Sequence, residues 1–211
     1  MSKVLTCLGC AALVLGGSAL TVAPAADNKV GAEGVLKLSE QVRSKEWGEL
    51  VRDGRKIAEE KNLFDLHTLF TVRRPCVTRS GLGVGESPGA VTPDGIEAKL
   101  YRLARRRLTA LEMTAEGKAL ARMGDVTAAI AAVTASQGEE ARRVPPARWQ
   151  QLSKEMYVEA RAFRDAVRAN DLAKVQQSAA QLAGVCSQCH AAAGGRPAPP
   201  PVKPIAPAGK P

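Results

Sequence analysis

Residues 172–190 read LAKVQQSAAQLAGVCSQCH, and the fold follows from their spacing. Leu172, Val175, Ala179, Leu182, Cys186 and Cys189 step by three, four, three, four and three, which is one stripe along an α-helix. Both thiols therefore share the face that carries leucine and valine, and point toward an apolar partner. His190 comes directly after the second thiol. Two cysteines three apart followed at once by histidine is the spacing of covalent c-type haem attachment. Two thiols add across the vinyl groups of one haem, and the adjacent imidazole ligates the iron as a neutral nitrogen donor. The reading is one covalent haem c, with Cys186, Cys189 and His190 holding it and His190 as the metal ligand.

Other uses of Cys-x-x-Cys fit less well. A thioredoxin-type pair sits at a strand-to-helix turn, and nothing in this chain reads as strand. Structural zinc takes four ligands, and only Cys76 and His67 are left over.

The motif comes late, with only the tail from Ala191 to Pro211 after it. Small cytochromes c usually place it early. Haem attachment in the last helix resembles the class II cytochromes c, the cytochrome c′ and c556 group. The run from Asn170-Asp171-Leu172 through Leu182 to His190 is similar to that family's turn and helix into the haem. The likeness covers roughly 149–193 and is architectural before that. Where that family carries a basic residue four after the histidine, this chain has Gly194. The resemblance implies an all-α, up-and-down four-helix bundle with a C-terminal haem-bearing helix. Extra short helices and a loop then stand between the first and second bundle helices.

The N-terminus reads as an export signal over 1–26. Lys3 gives a positive start, Val4 to Val22 is uncharged, and Ala23-Pro24-Ala25 offers a small-x-small cleavage site. An uncleaved membrane anchor is the alternative, because the apolar run is nearly long enough to span. Haem is joined to such motifs outside the cytoplasm, so a periplasmic location agrees with both signals.

The remaining ~185 residues suffice for one domain with a sizeable core. Aromatic residues make up 3% of the chain, and Ala, Leu and Arg suit helices better than sheets. The domain is expected over 27–193, with 63–110 as a loop-rich insertion and 194–211 as a disordered Pro/Ala/Gly-rich tail. The formal charge is +9, which favours acidic docking faces on a redox partner protein. A second copy of the chain is also kept open as a partner. Nucleic acid is not expected, because Arg105-Arg106-Arg107 has no aromatic platform beside it.

Along the chain, 33–62 reads as one kinked helix or a hairpin, with a joint near Ser44-Lys45-Glu46. Residues 73–95 read as a flexible loop. A helix over 96–107 is expected to be capped by Thr92 or Asp94, and further helices over 114–134 and 147–169. Trp149, Leu152 and Ile130 are expected to line the haem end, with plain core packing as the other reading. Cys76 reads as a lone thiol in a loop.

Two functions remain. One is electron transfer. The other, implied by the cytochrome c′ likeness, is binding of a small gas such as nitric oxide or carbon monoxide at an open sixth position. Low-spin members of that group place Met on the first helix. Residues 33–62 hold neither Met nor His. That predicts a five-coordinate iron framed by Leu36 or Leu38, with Met123 and His67 as the competing ligands. A helical adaptor without haem is the remote reading. No enzyme is expected, for want of acid–base residues at the motif.

Overall fold

The structure is a computed structural model and describes residues 26–60, 63–71, 81–137 and 144–194. The expected export signal, Cys76 and the tail beyond Gly194 lie outside the described residues. Within them every regular element is an α-helix: α1 (Ala26–Gln41), α2 (Trp47–Glu60), α3 (Leu63–Thr68), α4 (Ile96–Arg105), α5 (Ala110–Ser136), α6 (Pro146–Arg168) and α7 (Leu172–Ala192). No helix among the described residues is long and apolar enough to cross a membrane.

α5 is the spine. It packs on α1, α2 and α6, while α6 also carries α7, and α7 carries α4. Small residues allow close approach. Ala128, Ala129, Ala131 and Ala132 are fully buried, and a Cβ on Gly54 of α2 would stand 3.0 Å from the Val133 nitrogen. At Gly124 a Cβ would lie 2.8 Å from the Arg164 Cβ and 3.0 Å from the Ala160 oxygen. Ala160 and Arg164 belong to α6, so this glycine sets how near α5 and α6 come. Asp125, the next residue, accepts from Arg164 at 3.1 Å and from Arg168 at 2.8 Å, which ties the same two helices by charge.

The joint in 33–62 is a hairpin. α1 ends at Gln41, and α2 restarts at Trp47 with the Glu49 carboxylate accepting from the Glu46 N–H at 3.1 Å. Trp47 then packs on Tyr157 of α6, ring centres 4.7 Å apart. α5 begins four residues before the expected start, because Thr109 and Glu112 form a reciprocal capping box. Leu111 is 79% exposed, so the first turn has no apolar stripe to betray it. Asn170, at φ 54, and Asp171, accepting from the Lys174 N–H at 3.0 Å, turn α6 into α7.

The caps expected for α4 are absent. Its N-cap is Gly95, with no side-chain bond. Asp94 is instead buried and accepts from Val84 N–H at 2.6 Å and Gly89 N–H at 2.9 Å. The glycine-rich stretch from Gly81 to Gly95 is therefore a loop wrapped around one carboxylate. Leu82 N–H donates to the Leu69 oxygen at 3.0 Å, and Ile96 N–H donates to the Phe70 oxygen at 2.9 Å. Those two bonds seat the loop and the start of α4 against the end of α3.

Candidate haem-binding site

α7 delivers the three motif residues to the inner side of the fold. Cys186 is buried in the main core beside Leu182, Ala183 and Val185. Cys189 is half-buried against a smaller apolar cluster of Val144 and Trp149, with Ala192 and Ala193 around it. Both thiols are free in the structure. Burial pushes the Cys186 thiol far above the ordinary thiol range, and the Glu97 charge adds to the rise. The Cys189 thiol is pushed up to about 11, again by burial first. α7 stops where the sequence has glycine: Gly194 adopts φ 73, the left-handed conformation that ends helices without strain.

α4 faces the motif. Glu97 and Tyr101 are one turn apart and therefore share a side of the helix. The Tyr101 hydroxyl lies 3.1 Å from the Ser187 hydroxyl, and Glu97 Oε1 lies 2.8 Å from His190 Nε2. Glu97 sits in the first turn of α4, where the helix dipole favours a negative charge. Burial works to raise the Glu97 pKa, but the His190 hydrogen bond and the two imidazole charges outweigh it and hold it below the usual value. The same bond raises the His190 pKa against its own burial. Carboxylate and imidazole are thus an ion pair when His190 is protonated.

His67 completes the group. Its ring meets the His190 ring edge to face, centres 4.9 Å apart. Burial lowers its pKa, an effect the Glu97 charge partly reverses. The cause of this meeting is the Phe70–Ile96 bond described above. It places the end of α3 beside the start of α4, so that His67 and Glu97 converge. One ligand atom each from His67, Glu97 and His190 lies within 4.8 Å of the others.

The donor set suits an iron held by a ring between thiols and imidazole. Two thiols lie on one helix face, and His190 turns its Nε2 away from its own helix toward further donors. Trp149 is buried next to Cys189, with its indole N–H on the Thr134 oxygen at 2.8 Å. Ile130 and Leu152 are fully buried, Ile130 in the main core. Met123 lines a small cavity together with Leu36, Leu82, Val84 and Val126. That is about three helical turns (~16 Å) along α5 before Thr134. Leu38 is a core residue. Leu36 shares that cavity with Met123, while His67 meets His190 directly.

Glu97 is the residue that sequence reasoning missed. Its only signal was a place in the first turn of the helix expected over 96–107, which names no partner. No family model matches the chain, and no curated protein or solved structure shows a significant similarity to it.

Proposed function

We propose that this protein is an exported c-type haem protein of class II type that carries electrons. The observation that carries the reading is the placement of Cys186 and Cys189 on one buried face of the last helix, with His190 directed at a group of donors. The helix pairing supports the bundle reading. α5 packs on α6 and α6 on α7, and both helices of the α1–α2 hairpin pack on α5.

When bound, haem supplies an iron that takes up and releases one electron. The chain's own residues do the rest. Cys186 and Cys189 anchor the group, and His190 provides the imidazole. Val144, Trp149, Ala192 and Ala193 keep water from the Cys189 side, which helps to set the potential. Glu97 supplies a carboxylate from α4 beside that imidazole. The net positive charge draws acidic partners and raises the rate of encounter.

The test is expression of the full chain in a host that exports it and attaches haem. One haem should remain with the protein in acid acetone, and reduction and reoxidation should be reversible. Cys186→Ala or Cys189→Ala should weaken attachment, and the double variant should abolish it. Haem that extracts freely from the wild type would refute the reading.

A further inference from the structure

We infer that His67 is the second axial ligand of the iron, so that the loaded protein is six-coordinate and low-spin, with an imidazole on each side. This rests on the haem reading above and names what that reading leaves open, the sixth position. The chain has two histidines, far apart in sequence, and the fold puts their rings edge to face at 4.9 Å. A metal ion stands about 2 Å from each ligating imidazole nitrogen. Two rings on opposite sides of one ion are then roughly 6 Å apart, centre to centre. The present rings meet edge to face, so besides opening by ~1 Å they have to turn nitrogen toward nitrogen as the Glu97 oxygen leaves His190 Nε2.

The position of His67 is fixed by more than its own short helix. Leu66 and Leu69 are buried on either side of it. The bonds from Leu82 N–H to the Leu69 oxygen and from Ile96 N–H to the Phe70 oxygen clamp the residues that follow. Asp94, holding Val84 and Gly89, stiffens the loop behind the clamp. The ring is therefore presented to His190 by a braced segment.

Glu97 is the rival donor, since its oxygen already lies 2.8 Å from His190 Nε2. Imidazole is the better axial partner for haem iron, where His, Met, Cys and Tyr are the usual protein ligands. A carboxylate beside ligating imidazoles serves instead to orient them through hydrogen bonds. Here the Glu97 oxygen sits on Nε2 itself, so it gives up that nitrogen when iron takes it. With His67 in place the sixth position is closed to gases, and with no thioether ligand the potential lies below that of a His–Met iron.

The experiment uses the full, haem-loaded chain. Its oxidised form should show a purely low-spin magnetic resonance signal without the methionine–iron band at the red end of the optical spectrum. Its reduced form should bind carbon monoxide slowly or not at all. His67→Ala should turn the iron high-spin and open it to carbon monoxide, and added imidazole should restore the low-spin spectrum. His67→Met should bring in the methionine band. Glu97→Gln should stay low-spin. Covalent haem with an unchanged spin state in His67→Ala, or a high-spin wild type, would overturn the ligand assignment and leave the haem reading standing. The wild-type spectrum decides this even where a His67 variant fails to fold. A chain that carries a stoichiometric zinc or iron ion and no covalent haem would overturn both.

Discussion

Trp149 donates its indole N–H to the carbonyl oxygen of Thr134 at 2.8 Å, joining the first turn of α6 to the last turn of α5. The same oxygen accepts from the Gln137 N–H at 3.1 Å, so the indole is a second donor on the last turn of α5. The same ring packs on Val144 and shields Cys189. Trp149→Phe keeps most of the apolar contact and loses the bond, at an expected cost of about 1–2 kcal/mol. Trp149→Ala loses both and should cost about 3–5 kcal/mol. Urea unfolding of the two variants separates the contributions. A Trp149→Phe variant as stable as the wild type would mean that the bond contributes nothing.

The glycines of the helices divide into two kinds, which should respond oppositely to alanine. At Gly124 a methyl would press on the Arg164 Cβ and the Ala160 oxygen, so Gly124→Ala should destabilise by about 1–3 kcal/mol. Nothing lies within 4 Å of the methyl at Gly48 or Gly184. There, alanine removes backbone freedom from the unfolded chain and should stabilise by about 0.5–1 kcal/mol. Thermal unfolding of the three variants tests the sign of each effect.

Acid should remove the contribution of the α5 cap. The Arg106 hydrogen bond, with the Thr109 backbone and hydroxyl, holds the Glu112 carboxyl down to about 2 from an ordinary value of 4.5. A carboxyl whose folded pKa is depressed stabilises fully above its unfolded pKa and loses this as pH falls through the folded one. The melting temperature of the wild type should therefore exceed that of Glu112→Gln by a constant margin above about pH 5. The margin should shrink steadily toward pH 2. A margin that grows in acid would contradict the assignment.

Asp94 offers a local test of the loop. Asp94→Ala leaves the Val84 and Gly89 N–H groups without their acceptor, and should cost about 2–3 kcal/mol. Limited proteolysis should then cut near Gly85–Ala90 faster than in the wild type. If α3 and α4 are braced through this loop, the low-spin signal assigned to His67 should weaken in the same variant. Asp94→Asn, which keeps one acceptor oxygen, should fall between the two.

The helices were legible because their information is local. The stripe from Leu172 to Cys189 and the turn at Asn170-Asp171 each specify a few neighbouring residues, and the fold follows them. The start of α5 was hidden because a capping box works by hydrogen bonds, while the apolar pattern begins only at Met113. Asp94 has the composition of a cap, but its oxygens find nearer donors in the loop, and the local competition went to them. At the motif, Cys186, Cys189 and His190 declare themselves by spacing. The approach of Glu97 and His67 depends on long-range backbone bonds, Leu82 to Leu69 and Ile96 to Phe70, across a stretch with no periodicity to read.

The enclosure of Cys186 has a consequence for the order of events during maturation. In this fold the sulfur is buried and burial disfavours its charged form, whereas a sulfur that forms a new bond has to be accessible and charged. Any covalent partner must therefore arrive while α7 is still separate from α4 and α6. On the proposed haem reading, folding is the later step. Chain that collapses first would be a dead end, stable yet unable to be loaded afterward without unfolding. The yield of mature protein should then depend on a race between attachment and collapse. Variants that slow folding without destabilising the product should raise that yield.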